Sequence, residues 1–228
     1  MAKWETLING IKRYNTQTTE GGGKWMRFSL IHEIMNHGAK SKYNRAYEWC
    51  SGSAAIGFAM LDLDLVEHIT FSDKHELSIE ECSITITENK LQDRGNAYVS
   101  DTIAGLPEMP LWDLVISNPP HQKDFGRGCE VQSRIIEDIE WKTHKEFYKN
   151  IRSRLTNDAE LFIIEHIKNC VEVFEPMANQ GGLKLIDTYP MTMASAEALG
   201  ATHAPNAGKL EQSWQIMHLK PMELQNGD

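Results

Sequence analysis

The chain has 228 residues, of which 41% are hydrophobic and 24% charged, and its formal net charge is −9. This length suits one large hydrophobic core. Proteins that bind nucleic acid tightly usually carry a basic stripe, so the acidic balance disfavours duplex DNA as a partner and leaves only a local basic groove open. No apolar run approaches the roughly 18 residues of a membrane-spanning helix, and the N-terminus lacks the apolar core of a signal peptide. The sequence predicts a cytoplasmic protein with no membrane partner.

The residue types that bind metals show no ligand spacing. The cysteines lie far apart and none is paired as C-x-x-C, which argues against a zinc ribbon or a disulfide framework and favours free thiols. His32 and His37 are five residues apart, whereas two zinc ligands on one helix face are four apart. We therefore expect no metal site and no disulfide bond. The cysteines in question are Cys50, Cys82, Cys129 and Cys170.

Short apolar runs alternate with amphipathic stretches along most of the chain. Residues 1–43 are predicted to form an N-terminal helical extension, and residues 44–228 the main domain, with one domain overall. Apolar residues of the extension recur at helical spacing after the glycines at 21–23: Trp25, Phe28, Ile31 and Met35. The predicted strands are 45–50, 68–72, 96–100, 111–117, 160–165, 183–189 and 213–219. The predicted helices are 54–63, 74–89, 141–155 and 170–179.

This alternation is typical of a parallel sheet covered by helices on both faces. The last predicted strand follows 183–189 without a convincing crossover helix, and parallel neighbours need a long crossover. The predicted fold is therefore α/β, a doubly wound, mostly parallel, seven-stranded sheet with an antiparallel last strand. The segments 122–128 and 191–212 lack periodicity and are predicted to be loops or lids. Residues 21–24 are expected to serve as a linker or to fold onto a ligand.

In such a sheet, ligands bind beyond the carboxyl ends of the strands, near the point where the strand order reverses. The first predicted strand carries Glu48 near its end and leads to Gly52. A glycine at this place lets a ligand approach the backbone closely, although an ordinary strand-to-helix turn has the same pattern.

Acidic residues follow the next two predicted strands. Asp73 suits two ribose hydroxyls or the cap of the following helix, and both roles are compatible. Asp101 suits the amino group of an adenine or, again, a cap. Together with Glu48, these acids favour an adenosyl ligand with a cationic sulfonium. A pyrophosphate would need a glycine-rich helix start and basic groups instead.

Residues 118–121, here called the NPPH corner, follow the fourth predicted strand and read Asn118, Pro119, Pro120 and His121. Proline keeps the preceding residue extended and has no N–H of its own. The Asn118 side-chain oxygen and the Pro119 carbonyl are therefore predicted to grip the two hydrogens of an NH2 group, with the His121 ring as a stacking surface. A rigid turn without a ligand is the alternative.

Such a grip suits methyl transfer to nitrogen. The delocalised lone pair of an amide or an aniline-type amine is a poor nucleophile, and two fixed acceptors stabilise the positive charge that develops as it attacks. Holding the nitrogen in line with the methyl donor supplies the remaining acceleration. The pattern predicts that all four residues of the NPPH corner belong to the catalytic machinery.

With the motifs E-W-C-S-G at 48–52 and W-D-L-V-I-S-N-P-P-H at 112–121, residues 44–121 resemble class I S-adenosylmethionine-dependent methyltransferases of the Asn-Pro-Pro-aromatic kind. That group includes release-factor glutamine methyltransferases and adenine-N6 methyltransferases of DNA and RNA. The resemblance implies S-adenosyl-L-methionine as the cofactor and S-adenosyl-L-homocysteine as the product. It implies a Rossmann-like methyltransferase domain over 44–228, with the 48–52 turn at the methionine part, Asp73 at the ribose and Asp101 at the adenine.

The full cofactor-binding set expected from this resemblance is Glu48, Cys50, Gly52, Ser53, Asp73, Lys74, Asp101, Thr102 and Asn118. The chain departs from the family at three positions. Cys50 replaces the first glycine of the turn, Ala54 replaces the third, and His121 replaces the commoner Tyr or Phe. The first two departures concern cofactor affinity and the last one concerns the class of substrate.

A later motif, D-I-E-W-K-T-H-K-E-F at 138–147, extends the resemblance to a bacterial subgroup of small methyltransferases. It draws attention to Asp138, Trp141 and His144. Trp141 and His144 are three residues apart and share a helix face, so they are candidates to close over the acceptor, with a core position as the alternative for the tryptophan. The substrate-side candidates are Trp25, His121, Trp141 and His144.

The sequence thus predicts an enzyme that methylates a nitrogen of a planar amide, amine or nucleobase. The expected acceptor is a protein side chain or a small molecule, with RNA less favoured. A non-catalytic adenosyl-binding module and methylation of an oxygen of a small molecule stay open as alternatives. A nucleotide-dependent oxidoreductase is disfavoured, because the G-x-G-x-x-G turn for a pyrophosphate is absent.

Overall fold

The computed structural model describes residues 3–16, 24–121, 137–166, 170–200 and 214–223. In chain order the strands are β1 (Lys3–Thr6), β2 (Lys12–Asn15), β3 (Tyr43–Trp49), β4 (Val66–Asp73), β5 (Gly95–Val99), β6 (Trp112–Ser117), β7 (Leu155–Glu165), β8 (Leu183–Pro190) and β9 (Gln215–Pro221). The helices are α1 (Lys24–His37), α2 (Ala55–Asp62), α3 (Glu76–Glu88), α4 (Lys142–Ile151), α5 (Cys170–Gln180) and α6 (Met193–Glu197). Short 3₁₀ turns lie at Ile103–Gly105, Ile139–Trp141 and Arg152–Arg154.

A seven-stranded sheet forms the centre of the molecule, in the order β5-β4-β3-β6-β7-β9-β8. Strands β3 to β7 pair in parallel, and β9 runs antiparallel to both β7 and β8. The predicted fold class and the antiparallel last strand are confirmed. Every residue of β6 is buried, as is usual for a central strand of a parallel sheet. This burial explains why the sequence of β6 is mostly apolar.

Successive side chains of the strands point to opposite faces of the sheet, and each face has its own apolar layer. Ala46 belongs to the layer shared with α1 and α2, whereas its neighbour Tyr47 belongs to the layer shared with α4 and α5. Trp25 is 7% exposed and lies in the first layer. Trp141 is 9% exposed and lies in the second, against Phe174. Both tryptophans therefore occupy core positions.

The N-terminal extension is helical only in α1. The expectation of helix was wrong for β1 and β2, which form an antiparallel hairpin around Asn9 and Gly10, and Gly10 has a φ of 123°. An Asn-Gly pair is a strong signal for a hairpin turn, and the extended geometry of the flanking residues agrees with it. The hairpin is anchored to the main domain, since Ile11 N donates to Asp62 Oδ1 at 2.9 Å and Tyr14 N donates to Thr85 Oγ1 at 3.0 Å. The division of domains at residue 43 stays a prediction.

The segment 191–212 was predicted to be irregular, but its first part contains the short helix α6. The hydroxyl of Ser195 donates to Glu33 Oε1 at 2.9 Å, and the Ser29 hydroxyl donates to Thr192 O at 3.0 Å, so α6 packs on α1. The predictions for 21–23, 122–128 and 201–212 lie outside the described residues. Cys50, Cys82 and Cys170 are free thiols, as expected. No helix in the described ranges is both long and apolar enough to cross a bilayer.

Candidate active site

The carboxyl ends of the parallel strands meet at one edge of the sheet. Trp49 of β3 is in register with Ser72 of β4 on one side and with Ser117 of β6 on the other. Ser117 is in register with Ile163 of β7. The strand order reverses between β3 and β6, so this edge contains the crevice in which doubly wound sheets bind ligands.

Residues 50–54, here called the switch-point turn, connect β3 to α2. Cys50, Gly52 and Ala54 have φ values of 51°, 52° and 58°, so the backbone is left-handed at every second residue. For a residue other than glycine this conformation costs about 1–2 kcal/mol. The turn therefore keeps a glycine-type shape at the two positions where the sequence departs from glycine, and its backbone remains open to close approach at Gly52.

Asp73 at the end of β4 supports this turn. Gly52 N donates to Asp73 Oδ2 at 2.9 Å, and His75 N donates to Asp73 Oδ1 at 2.9 Å. Ser51 N also donates to Ser72 O at 2.9 Å. Asp73 does not cap α3 in the predicted way, because the N-cap of that helix is His75, without a side-chain cap bond, and Asp73 accepts from the N–H of His75 just before the helix. Each carboxylate oxygen has a second lone pair, so a ribose contact remains compatible with these bonds.

The sequence suggests that Glu48 is an exposed acid at the rim of the crevice, but the structure buries it. Its side chain is buried, and its Oε2 accepts from Gly57 N at 2.9 Å in the first turns of α2. Burial raises the pKa of Glu48 to about 8, against a weaker opposite effect of the Gly57 bond. Glu48 is therefore neutral at pH 7 and supports the start of α2 from inside the sheet.

A buried cation that was not predicted from the sequence lies at the turn. Arg13 of β2 is 1% exposed, and its Nη1 donates to Ser53 Oγ at 2.7 Å. Its Nη2 donates to Glu5 Oε2 at 2.7 Å, and Arg27 Nη2 donates to Glu5 Oε1 at 3.0 Å. Burial opposes ionisation of Glu5, but Arg27 and Arg13 outweigh it and lower its pKa to about 2. The N-terminal hairpin thus delivers a positive charge next to Ser53.

The remaining cofactor candidates lie at the rim beyond β4 and β5. Lys74 and Asp101 are exposed, and Asp101 is thus the acid of this edge that is most open to a ligand. The Thr102 hydroxyl accepts from Gly105 N at 3.3 Å and caps the 3₁₀ turn.

The NPPH corner lies beside the switch-point turn. Ser117 Oγ donates to Trp49 O at 2.6 Å, which ties the ends of β6 and β3 together immediately before Asn118. Asn118 is partly exposed, whereas Pro119, Pro120 and His121 are buried. His121 Nε2 donates to Asn118 Oδ1 at 2.7 Å.

The His121 ring is not a free stacking surface in this arrangement. It meets Trp214, before β9, edge to face at a centroid distance of 4.6 Å and an angle of 89°. Trp214 is partly exposed and was not recognised from the sequence, because a single tryptophan at the start of a strand carries no ligand signal.

Behind the corner, four ionisable side chains form a buried row, here called the buried relay: Asp138, His144, Glu165 and His121. His144 Nδ1 lies 2.6 Å from Asp138 Oδ2, and His144 Nε2 lies 3.2 Å from Glu165 Oε1. His121 Nδ1 lies 3.6 Å from Glu165 Oε2. Two of the residues singled out in the 138–147 motif are therefore connected to the NPPH corner through Glu165, a residue that the sequence analysis missed.

The charges in the relay follow from its contacts. Burial alone would lower the pKa of His144, but Glu165 and Asp138 raise it to about 9, so His144 is an imidazolium at neutral pH. Burial would raise the pKa of Glu165 and of Asp138, but His144 keeps both below their usual values. Burial lowers the pKa of His121 despite the nearby Glu165, so this ring is neutral. His144 is 0% exposed and therefore acts through its neighbours.

Comparisons with known proteins agree with the fold. The family model of the methyltransferase small domain matches residues 30–172. Over 134 residues, the chain is 27% identical to the ribosomal RNA small subunit methyltransferase C of Haemophilus influenzae (strain PittEE), which covers 59% of this chain and 38% of the relative. The match thus spans less than two fifths of that relative's length.

Two solved structures share the fold at low sequence identity. The tRNA m1G37 methyltransferase of M. jannaschii gives a TM-score of 0.63 at 12% identity, covering 98% of this chain and 57% of that one. The ribosomal protein L11 methylase of Lactobacillus delbrueckii subsp. bulgaricus gives a TM-score of 0.57 at 11% identity, covering 92% of this chain and 84% of that one.

The sheet order, the switch-point crevice and these matches define the fold of a class I methyltransferase. The family match covers more than half of the 228 residues. The chain belongs to the methyltransferase small domain family, and membership implies S-adenosyl-L-methionine as the methyl donor.

Proposed function

We propose that this methyltransferase transfers its methyl group to a nitrogen of a planar acceptor held at the NPPH corner. The observation that carries the proposal is the bond from Ser117 Oγ to Trp49 O at 2.6 Å, which sets Asn118 beside the switch-point turn. A nitrogen bound at Asn118 therefore lies next to a methyl donor bound over that turn. Orientation of this kind replaces a bimolecular encounter and is a large part of catalysis.

The donor set at the crevice fits an adenosyl cofactor. Asp73 has lone pairs beyond those used by two backbone N–H groups, and Asp101 is exposed at the neighbouring strand end. Arg13 is buried and already donates to Ser53 and Glu5, so we assign it a supporting role: it orients Ser53 and adds positive charge near the carboxylate of the methionine part. When bound, S-adenosylmethionine supplies an electrophilic methyl group, and its sulfur keeps the electrons of the broken bond.

The acceptor contacts follow from the resting geometry of the corner. Asn118 Oδ1 accepts from His121 Nε2 at 2.7 Å, which means that this oxygen is oriented toward a donor. An incoming NH2 group replaces the His121 N–H at Asn118 and gives its second hydrogen to the Pro119 carbonyl. Two fixed acceptors stabilise the developing positive charge, and a contact of this kind is worth about 10²–10³ in rate. Trp214 is partly exposed beside His121 and packs on the His166 ring at a centroid distance of 4.1 Å, so a planar acceptor at the corner would lie near this group of rings.

A nucleobase of RNA is the acceptor class that we place first. Two observations support this choice: the similarity to a ribosomal RNA methyltransferase and a local basic face on α4. Lys142, Lys145 and Lys149 are exposed there, three and four residues apart, on the side of the helix opposite the buried His144. Such a face attracts phosphates even when the net charge of the chain is −9. This ranking reverses the expectation of a protein or small-molecule acceptor.

Methyl transfer from labelled S-adenosylmethionine into fractionated lysate tests the proposal. The label is expected in RNA, on a base nitrogen. Asn118→Ala should reduce transfer at least 10²-fold and leave the binding of S-adenosylhomocysteine, measured by calorimetry, unchanged. The matched control is Asn36→Ala, which changes an exposed asparagine of α1 and should leave both quantities unchanged.

Three outcomes contradict parts of the proposal. Full transfer by Asn118→Ala removes this residue from the mechanism. Label on an oxygen overturns the nitrogen acceptor, and label in protein or small molecules with none in RNA overturns the ranking of acceptors.

A further inference from the structure

Two buried polar atoms face each other behind the NPPH corner. His121 Nδ1 and Glu165 Oε2 are 3.6 Å apart, and neither has a hydrogen-bond partner among the described residues. Their side chains are only 9% and 1% exposed. A buried polar atom without a partner costs about 1–3 kcal/mol, so such atoms are rare and call for an explanation. One proton placed between these two atoms would satisfy both.

Building on the proposed function, we propose that His121 is the general base that takes the proton released by the methylated nitrogen, while Glu165, His144 and Asp138 position it and compensate its charge. His121 touches the acceptor site through Asn118 at 2.7 Å. The other three residues act through His121. The relay therefore explains why ionisable groups are buried behind a corner that needs only acceptors to hold its substrate.

The proton transfer follows from the geometry. When an NH2 group takes over Asn118 Oδ1, His121 loses the acceptor of its Nε2 proton. The tautomer with its proton on Nδ1 then donates to Glu165 Oε2 and leaves the Nε2 lone pair facing the acceptor nitrogen. That nitrogen forms the new N–C bond with its own lone pair, becomes cationic, and passes one proton to Nε2. The His121 imidazolium then donates from Nδ1 to Glu165 until solvent removes the extra proton.

The net charge of the relay becomes less negative in this step. Two carboxylates, one imidazolium at His144 and a neutral His121 leave the resting relay with an excess of one negative charge. A proton on His121 brings the relay to neutrality, and Glu165 offsets part of the cost of burying that charge. Other titratable groups near the His121 ring are few: among the described residues, His166 lies at a centroid distance of 6.4 Å, with its pKa lowered mainly by burial.

Histidine-selective NMR titration tests the resting state without any substrate. In the wild-type protein with S-adenosylhomocysteine, His144 should remain charged up to a pH of about 9, while His121 titrates below its ordinary 6.5. Glu165→Gln removes the carboxylate that favours both imidazolium forms, so the pKa of each histidine should fall. Unchanged titration of His121 in Glu165→Gln would overturn the proposed coupling.

Kinetics then separate a base from a structural residue. Wild-type kcat should rise with pH through the pKa of His121 and reach a plateau above it. His121→Phe keeps an aromatic ring at this position but has no basic nitrogen. It should lower kcat about 10²-fold, abolish the pH dependence and leave the affinity for S-adenosylhomocysteine unchanged. Glu165→Gln should shift the rise of kcat to lower pH.

Failure of this inference is distinguishable from failure of the proposed function. If His121→Phe transfers methyl groups at the wild-type rate while Asn118→Ala is inactive, the base is wrong and the acceptor site stands. If Asn118→Ala is also fully active, the site itself is wrong. A loss of cofactor binding or of folding in His121→Phe, absent in Glu165→Gln, would instead give His121 a structural role and would overturn its assignment as the base.

Discussion

The two sides of the crevice are built in different ways. On the cofactor side, at the ends of β3 and β4, main-chain N–H groups donate to carboxyl groups: Gly52 and His75 to Asp73, and Gly57 to Glu48. The Glu48 carboxyl is neutral. On the acceptor side, at the ends of β6 and β7, the side chains of the relay contact each other and carry charges.

This difference indicates that the two sides of the crevice have different roles. A carboxyl group that holds a turn by backbone bonds fixes a shape, which a cofactor common to many methyltransferases requires. A coupled row of charged groups can take up a proton, which the proposed general base at His121 requires. Variants that break the two sides should therefore fail in different ways, and the sizes of the effects are predicted to differ.

The largest effect is expected from His144→Leu on the acceptor side. The substitution leaves Asp138 and Glu165 buried without their cationic partner, and breaking a buried pair in this way costs about 3–5 kcal/mol. Urea unfolding monitored by fluorescence measures the loss. Lys145→Ala, at the next residue but exposed, is the control and should stay within about 0.5 kcal/mol of the wild type.

The stability lost in His144→Leu should depend on pH in a defined direction. The pKa of His144 is raised from 6.5 to about 9, so its contribution to stability is complete below pH 6.5 and disappears as the pH rises through 9. The two carboxyl groups have lowered pKa values, so their contribution disappears in acid. The difference between wild type and His144→Leu should therefore be largest between about pH 5 and 6.5. A difference that grows toward pH 9 would contradict the charged His144.

The cofactor side should respond in the opposite direction to Glu48→Gln. A carboxyl whose pKa is raised from 4.5 to about 8 destabilises the folded state increasingly as the pH rises from 4.5 to 8, because the unfolded chain ionises first. The amide is neutral at every pH and can keep the bond from Gly57. We expect Glu48→Gln to raise the free energy of unfolding by roughly 3 kcal/mol at pH 7 and by nothing at pH 4.

Chemical denaturation at the two pH values checks this expectation. The exposed Glu67→Gln on β4 is the matched control and should show no such difference. A loss of stability at pH 7 in Glu48→Gln would mean that Glu48 is ionised and has a charged partner, and the contrast between the two sides would then disappear.

The sequence predicted the cofactor side better than the acceptor side, for a physical reason. The strand ends, Gly52 and Asp73 follow from local apolar runs and turn residues, and parallel strands bring them together at one edge. Glu165 and Trp214 reach the NPPH corner from elements far along the chain, and spacing in sequence does not encode such contacts. The I-I-E-H ending of β7 was the only local hint of Glu165.

The N-terminal hairpin shows the same limit at smaller scale. Its strands have only four residues each, and the buried positions of β2 are Arg13 and Asn15, so they lack the apolar alternation that marks a strand. Its Asn9-Gly10 turn was the available signal. Arg13 could not be assigned to the site, because its position depends on how the hairpin packs on α2 and α3.

Arg13→Gln removes a buried ion-pair partner of Glu5, so it is tested on the folded variant, and its effect on ligand binding is the smallest effect expected here. If the hairpin belongs to the cofactor side, removal of the guanidinium beside Ser53 should weaken S-adenosylhomocysteine binding about tenfold, or roughly 1.4 kcal/mol. The titration of His121 and His144 should not change, because the pKa values of these two histidines are set by burial and by the members of the relay. Calorimetry on the folded variant measures the first quantity and NMR the second. Arg94→Gln, which removes a surface pair with Asp64, is the control. Unchanged affinity in Arg13→Gln would confine Arg13 to anchoring the hairpin through Glu5.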